Sequence, residues 1–322
     1  MNTIDRVAHR LKLRDLRLLD AVVRARSMAR AAAQLNLTQP AVSKAVSELE
    51  HTLGVRLLDR SRQGIEPTPH GRALLRRGAA IFDELRQGLS ELESLSDPTA
   101  GEVRVATSEP IAAGLLPVVI GRLSRRYPRL SIYVIQSPIA TLQQSVPQYA
   151  DLRERKVDLV FGPVVRRVAD DDLMAEILFE ENSHVVAHVR HPCQRRRKVT
   201  LADLIDQPWC LPALDSLVGL RCIEAFRLSG LDVPRRTVTS VSMQLLMGLV
   251  TTQNYLTMYP SSLVRFGGRR FAIKALPIKL AVEPRLIGII TLKNRTISPA
   301  AQLFVQAVRE VAKPMAKLRK RA

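Results

Sequence analysis

One short amphipathic segment begins with polar residues whose side chains could form hydrogen bonds with a base pair. Gln39 and Ser43 are four positions apart, so a helix puts both on one face. A glutamine amide can form two hydrogen bonds with adenine, and a serine hydroxyl can reach a base edge or a phosphate. Thr38 adds a hydroxyl at the helix N-terminus, where phosphate binds well, although a simple N-cap role suits it equally. These residue types indicate recognition of double-stranded DNA.

Two helical patterns separated by a sharp turn at Asn36-Leu37 position these side chains. Pro40 fits the first turn of the second helix, where its missing N–H costs nothing, and its ring can contact a thymine methyl group. The residues expected to face the core are Met28, Ala31, Ala32 and Leu35 in the first helix, and Ala41, Val42, Ala45, Val46 and Leu49 in the second. Such a pair is a helix-turn-helix, which places its second helix in the major groove. Most short amphipathic helix pairs do not touch DNA, so the pattern alone also allows a purely structural role.

The motifs around this helix pair resemble those of a known family. Residues 11–75 contain S-x-x-x-A-A-x-x-L, T-Q-P-A-V-S-K, L-E-x-x-L-G-V-R-L-L-D-R and T-P-x-G, in that order. They are similar to the winged helix-turn-helix of LysR-type transcriptional regulators, and a weaker resemblance continues to about Val311. The resemblance implies base contacts by Gln39, Pro40 and Ser43. It implies contacts or near-contacts to the DNA backbone or groove by Thr38, Lys44 and two arginines of the predicted strand-turn-strand wing, Arg60 and Arg62.

A proline-free segment after the wing, from Gly71 to about Ser96, predicts one long helix. Its apolar residues recur at spacings of three and four: Leu74, Leu75, Ala79, Phe82, Leu85, Leu89, Leu92 and Leu95. A second copy of the chain can cover such a stripe. The resemblance implies the linker helix of a dimer, with Phe82, Leu85, Leu89 and Leu92 in the interface. Packing of the stripe against the chain's own effector domain is the alternative.

After a turn-rich break at residues 96–101, strands and helices alternate. A βαβαβ pattern over 102–161, with one helix expected at 111–127, implies a parallel sheet, and a second α/β unit follows. The fold class we expect is α/β with an N-terminal all-α winged helix-turn-helix, a linker helix and, by resemblance, a two-lobed periplasmic-binding-protein-like effector domain. The predicted boundaries are 12–71 for the DNA-binding domain, 72–97 for the linker or dimerisation helix and 98–322 for the effector-binding domain. Within the last, lobe one is expected at 101–162 plus 268–313 and lobe two at 163–267, with crossings near Gly162-Pro163 and near Phe266-Gly267-Gly268.

Residues that follow the predicted strands are the candidates for effector binding, because α/β domains bind ligands at strand ends. Ser108 and Ser137 follow the first two strands of lobe one, beside helix N-termini that favour anions. By resemblance, the effector-contacting positions are Ser108, Ser137, Phe161, Pro212, Asp215, Ser216 and Gln244. Each of these also suits a capping or turn role. Asp215 disfavours an anionic effector unless Arg221 neutralises it.

Composition and motifs exclude several other classes. The net charge of +19 favours polyanionic partners, although most of the excess lies outside the predicted DNA-binding domain. We interpret that excess as a solvated surface; a second DNA contact or an anionic ligand is the alternative. The spacing of His184, His188, His191 and Cys193 matches no standard metal site, so we expect neither metal nor cofactor. Serine-hydrolase, phosphate-loop and paired-cysteine motifs are missing, so we expect no enzyme. No apolar stretch has the length of a membrane span, and the cysteines lack disulfide spacing, so we expect no membrane partner and a cytoplasmic location.

Together these features predict a sequence-specific transcriptional regulator that responds to a small-molecule effector bound between two α/β lobes. The expected partners are double-stranded promoter DNA, the effector, RNA polymerase by resemblance, and further copies of the chain in a homodimer or homotetramer. One alternative is a solute-binding or enzymatic α/β domain that carries a DNA-binding head. An architectural DNA-binding protein is a further alternative; the positive charge favours it and the predicted two-lobed domain argues against it.

Overall fold

The computed structural model describes residues 10–61, 64–97, 100–136, 149–164 and 172–316. The chain divides into two compact units, Met1–Gly88 and Leu89–Ala322. The described part of the first unit contains α1 (Leu13–Ala25), α2 (Met28–Gln34), α3 (Gln39–Leu53), β1 (Leu58–Ser61), β2 (Gly64–Pro67) and most of α4 (Pro69–Ser96). Among the helices of the described residues, none is both long and apolar enough to cross a membrane.

The predicted helix-turn-helix is present, and α1 packs with it around a small apolar core. Leu19, Val22, Ala31 and Val42 are fully buried in this core. The turn between α2 and α3 places Asn36 in the left-handed region, with φ 53°, which asparagine tolerates better than most residues. The expectation that Ala41 faces the core is wrong: the side chain is exposed. The buried side of α3 instead consists of Val42, Val46 and Leu49.

Side chains at both ends of the two-stranded wing attach it to the neighbouring helices. Near the end of α3, a Glu50 carboxylate oxygen accepts from the Leu57 N–H at 2.7 Å. At the other end, the Thr68 hydroxyl donates to the Arg56 carbonyl at 2.8 Å and accepts from the Gly71 N–H at 3.0 Å. Gly71 packs so closely that an added Cβ would lie 2.1 Å from the Leu57 carbonyl oxygen. The wing and the start of α4 are therefore held together by fixed hydrogen bonds.

The second unit contains two α/β lobes. Its labelled elements are β3 (Gly101–Thr107), α5 (Glu109–Ala113), α6 (Leu116–Arg126), β4 (Leu130–Gln136), α7 (Ala150–Arg153), β5 (Leu159–Val164), β6 (Leu173–Glu181), β7 (Ser183–His188), β8 (Trp209–Pro212), α8 (Leu217–Leu228), β9 (Thr237–Ser240), α9 (Met243–Thr252), β10 (Thr257–Pro260), α10 (Ser261–Gly267), β11 (Ile273–Ala275), β12 (Arg285–Leu292) and α11 (Pro299–Ala316). Lobe one is a five-stranded sheet in the order β4-β3-β5-β12-β6. As the βαβαβ pattern predicts, β3 is parallel to β4 and β5, whereas β12 is antiparallel to β5 and β6. Apolar side chains of α6 and α11 cover its core, which includes the fully buried Phe161 and Phe304.

Lobe two is built on strands in the order β10-β7-β11, with the parallel pair β8-β9 beside them. The Cys210 N–H donates to the Leu256 carbonyl at 2.8 Å, which joins β8 to the segment leading into β10. On one face, Trp209 packs edge-on against Phe226 of α8, with ring centroids 5.1 Å apart. On the other face, Cys210 and Tyr259 pack with apolar residues of α9 and α10. Lobe two therefore has helices on both faces of its strands.

The predicted lobe division is wrong at both crossings. Strand β6 pairs with β12 in lobe one, with Glu181 opposite Arg285, and β11 pairs with β7 in lobe two, with Ile273 opposite His188. The chain therefore crosses between lobes at Asn182 and within residues 276–284. The glycines at the predicted crossings lie inside secondary-structure elements: Gly162 pairs with Gly288 in the lobe-one sheet, and Gly267 lies in α10. Pairing between distant strands decides where each lobe ends.

Two other sequence expectations differ from the structure. The single helix expected over 111–127 is divided into α5 and α6 at Gly114. This glycine lies against α10, and an added Cβ would be 2.9 Å from the Leu263 Cα. The sequence pattern also gave no indication of β9, β10 and α10, which are short elements with weak periodicity. The close approach at Gly114 brings α5 of lobe one against α10 of lobe two.

Candidate DNA-binding and effector-binding sites

The N-terminal turn of α3 presents the predicted DNA-reading residues to solvent. Thr38, Gln39, Pro40 and Lys44 are exposed, and Ser43 is half-buried. The Thr38 hydroxyl accepts from the Ala41 N–H at 3.4 Å, so the residue caps the helix. Within the described residues, the Gln39 and Ser43 side chains form no hydrogen bond. Their amide and hydroxyl groups are therefore available for a base or a phosphate.

Lys44 and the two wing arginines are the other residues predicted to contact the DNA backbone or groove. Lys44 forms only a loose ion pair with Glu48, at 3.8 Å, between two exposed side chains, and such pairs contribute little to stability. Arg60 belongs to β1, and Arg62 lies outside the described residues. The wing formed by β1 and β2 is anchored to the end of α1, because the Ile65 N–H donates to the Arg26 carbonyl at 3.2 Å.

The long helix α4 is present as predicted and carries an uncovered apolar stripe. Exposure rises along it, from 46% at Leu85 to 60% at Leu89, 63% at Leu92 and 77% at Leu95. Phe82 differs from the other predicted interface residues: it is half-buried, with the Arg17 guanidinium 5.4 Å from its ring centroid. Leu85, Leu89 and Leu92 are thus free to meet another surface, whereas Phe82 already contacts α1.

Among the predicted effector-binding residues of lobe one, Ser108 has a hydroxyl group that forms no hydrogen bond within the described residues. It precedes α5, and its hydroxyl oxygen is buried without a hydrogen-bond partner in the described part of the chain. The neighbouring Thr107 hydroxyl instead donates to the Phe161 carbonyl at 2.6 Å. The Phe161 side chain is fully buried in the lobe-one core, contrary to the expectation that it faces an effector. Ser137 lies outside the described residues.

On the lobe-two side, the predicted residues are more dispersed. Ser216 is fully buried: its hydroxyl donates to the Ala213 carbonyl at 2.6 Å and accepts from the Gly219 N–H at 3.0 Å, so it caps α8. Pro212 is buried at the end of β8, whereas Asp215 and Gln244 are exposed. Gln244 belongs to an open groove of about 600 Å³ along α9. The Arg221 guanidinium donates to the Glu283 carbonyl, and no ion pair joins it to Asp215 within the described residues.

Two residues that the sequence analysis missed, Glu109 and Tyr259, join Ser108 where the lobes meet. Burial raises the pKa of the Glu109 carboxyl, and the backbone N–H of Met243 at the start of α9 partly offsets this by donating to it. The Tyr259 hydroxyl is buried without a partner among the described residues. Burial raises its pKa, and the nearby Cys210 and Glu109 add to that shift. Glu109 directly follows Ser108 and could have been noticed, but Tyr259 lies on the missed strand β10.

The histidine-rich segment of lobe two has ordinary local roles. His191 Nδ1 accepts from the Cys193 N–H at 3.2 Å, and His188 Nδ1 accepts from the Arg190 N–H at 3.3 Å. Burial lowers the pKa of His184. No group of three or more potential metal ligands occurs within the described ranges.

Two known protein families together match most of the chain. Residues 13–72 match the family described as "Bacterial regulatory helix-turn-helix protein, lysR family", and residues 96–313 match "LysR substrate binding domain". Among curated relatives, the HTH-type transcriptional regulator GbpR of Azospirillum brasilense is 32% identical over 303 residues, covering 93% of this chain and 86% of GbpR. The transcriptional dual regulator GltC of Bacillus subtilis is 27% identical over 269 residues, covering 83% of this chain and 86% of GltC.

Solved structures share the fold at lower sequence identity. A full-length OxyR variant from Pseudomonas aeruginosa aligns with a TM-score of 0.64 at 21% identity, covering 95% of this chain and 98% of OxyR. CbnR, described as a LysR family transcriptional regulator, aligns with a TM-score of 0.62 at 20% identity, covering 94% of this chain and 99% of CbnR. These likenesses support the winged helix-turn-helix followed by a two-lobed α/β domain.

Proposed function

Because the chain belongs to the LysR family of transcriptional regulators, we propose that it reads promoter DNA with α3 and changes transcription when a small molecule binds between its lobes. The observation that carries this proposal is the division of α3 into two faces. Val42 and Val46 fix the helix to the core, while Gln39 and Ser43 face outward without hydrogen-bond partners among the described residues. A polar helix face on a rigid base is what major-groove reading requires.

In this proposal, the residues of the DNA-binding domain divide into base-reading and positioning groups. Gln39 and Ser43 read base edges, and Pro40 provides apolar contact with a thymine methyl group. Thr38, Lys44, Arg60 and Arg62 contact the backbone or the groove and supply affinity that does not depend on sequence. The attachment of the wing to α1 and to the start of α4 supports this division, since it holds β1 and β2 beside the helix-turn-helix.

The uncovered stripe of α4 supports a homodimer or homotetramer. Burying a leucine side chain stabilises an assembly by roughly 1.5–3 kcal/mol. Leu85, Leu89 and Leu92, each about half exposed or more, can therefore contribute several kcal/mol when a second copy covers them. A dimer also presents two copies of α3, as a two-part DNA site requires. We assign Phe82 to the edge of this interface, because it already packs against Arg17.

Where the lobes meet, unused polar groups favour an effector that carries oxygen or nitrogen atoms. The Ser108 and Tyr259 hydroxyls are buried without protein partners in the described residues, which is costly unless a ligand or water satisfies them. The candidates from lobe two remain Pro212, Asp215, Ser216 and Gln244. Ser216 is buried and would act indirectly, by fixing the start of α8. A ligand that prefers one arrangement of the lobes shifts their equilibrium, and that shift would alter contact with RNA polymerase.

The proposed role is regulation without catalysis. GbpR and GltC carry the names of transcriptional regulators, and this chain covers most of both. The test is genome-wide mapping of the DNA that the chain occupies, followed by binding of the recovered sites in vitro. Recurrent occupancy of a shared sequence beside promoters, with altered transcription of the adjacent genes on deletion, supports the proposal. Occupancy without a shared sequence, or turnover of a small molecule by the purified protein, would instead favour an architectural or enzymatic role.

A further inference from the structure

Two arginines meet at the second crossing between the lobes. Arg221 lies in the second turn of α8 in lobe two, and Arg285 is the first residue of β12 in lobe one. The Arg221 guanidinium donates to the carbonyl of Glu283, within the crossing segment. Burial is the largest cause that lowers the pKa of Arg285, and the two cations are close enough for Arg221 to lower it further. Two positive groups thus lie near each other at the crossing between the lobes.

Both guanidinium groups have hydrogen-bonding capacity that the protein leaves unused. Arg285 is half-buried, and no hydrogen bond or ion pair joins its guanidinium to any residue that the structure describes. The Nε of Arg221 is buried and has no acceptor in the same described ranges. A guanidinium carries five N–H donors, and buried donors are normally satisfied. The donors of this pair therefore call for an acceptor from outside the chain.

The acidic residue opposite Arg285 in the sheet does not form an ion pair with it. Glu181 lies opposite Arg285 on the neighbouring strand and raises its pKa, but no ion pair joins the two within the described residues. The Glu181 carboxylate instead accepts from the Ser262 N–H at 3.2 Å. Burial raises the pKa of Glu181, which disfavours its negative charge. Burial also raises the pKa of the neighbouring Cys222 thiol to about 12, so this group is neutral near pH 7. Neither Glu181 nor Cys222 therefore neutralises the two arginines.

We propose that Arg221 and Arg285 form a binding site for a small oxyanion, a carboxylate or a phosphate, at the crossing between the lobes. Planar guanidinium groups bind both anions through paired hydrogen bonds. An anion held by both arginines would connect α8 of lobe two to β12 of lobe one. The site uses neither Ser108 nor Tyr259, so it goes beyond the effector contacts proposed above. Anion binding here would bias the arrangement of the lobes independently of a cleft ligand.

The test is titration of the full chain with sodium phosphate and, separately, with sodium succinate, at constant ionic strength set by sodium chloride. Thermal unfolding and calorimetry are the two measurements. We expect saturable binding of at least one anion, weakened tenfold or more in both Arg221→Gln and Arg285→Gln. Arg227→Gln is the matched control, because Arg227 is an exposed arginine on the same helix, and it should bind as the parent does.

The response to the two anions identifies the chemistry. Binding of phosphate alone indicates a phosphate-bearing ligand, binding of succinate alone indicates a carboxylate, and binding of both indicates a general oxyanion site. If Arg285→Gln does not fold, Arg221→Lys replaces it, since lysine keeps the charge but loses the paired hydrogen bonds and should still weaken binding. Absence of saturable binding to the parent chain would overturn the proposal. Equal binding by the parent, Arg221→Gln and Arg221→Lys would also overturn it.

Discussion

Replacing Gln39 with alanine should weaken binding to the specific DNA site without changing the stability of the protein. The side chain is exposed on the first turn of α3 and has no hydrogen-bond partner among the described residues, so its loss should change the free energy of unfolding by less than about 0.5 kcal/mol. A lost base contact costs about 1–3 kcal/mol. At 25 °C this corresponds to roughly a 5- to 160-fold rise in Kd for the specific site. Binding to random DNA should change little, because backbone contacts supply most of that affinity.

Fluorescence anisotropy at one fixed salt concentration measures this effect on a mapped site and on a scrambled duplex of equal length. Gln87→Ala on α4 is the matched control, since it removes the same amide group away from α3. Val42→Ala should differ from Gln39→Ala by lowering the stability of the protein as well as its DNA binding, because Val42 is fully buried in the core. Equal weakening of specific and scrambled DNA by Gln39→Ala would refute the base-reading role.

Further predictions concern assembly, the region where the lobes meet, and pH. Leu89→Asp places a charge in the proposed interface and should shift the protein to a smaller species in sedimentation velocity; an unchanged mass would show that the stripe is not the interface. Ser108→Ala should leave the urea midpoint unchanged or raise it, because it deletes a buried hydroxyl without a hydrogen-bond partner among the described residues. Thr107→Val breaks a 2.6 Å hydrogen bond and should lower the free energy of unfolding by about 1–3 kcal/mol. Equal losses of stability in the two variants would contradict the different roles of the two hydroxyls. Folding raises the pKa of Glu109, so the contribution of this carboxyl to stability is present at acid pH and is lost as pH rises through that pKa. The Tm of Glu109→Gln should therefore rise relative to the Tm of the parent between pH 4 and pH 7. A Tm difference that does not change with pH would refute the raised pKa of Glu109.

The helix-turn-helix could be predicted from sequence because its determinants are local. Ser27 and Thr38 cap helices, Pro40 occupies a first turn, and the apolar residues that follow have helical spacing. The exposed face of α3 follows directly from that spacing. Only the first turn was misjudged, at Ala41, where a small apolar residue lies one position outside the buried side.

The lobe boundaries could not be predicted because they depend on pairing between distant strands. Whether β6 joins lobe one is decided by its pairing with β12, more than a hundred residues later. For the same reason, the sequence indicated only one of the two unpaired hydroxyl groups named above where the lobes meet. Ser108 follows a strong strand, but Tyr259 lies on a four-residue strand between two helices, and short strands of this kind have little periodic signal. The Arg221–Arg285 pair likewise joins residues from different lobes.

The most direct test of the account is the ratio of the affinities of the full chain for a mapped promoter site and for a scrambled duplex, measured at the same salt concentration. Sequence-specific regulators usually prefer their sites by about 10³-fold or more. The account predicts a preference of this order that falls in Gln39→Ala and Ser43→Ala. Equal affinities for the two duplexes would contradict it.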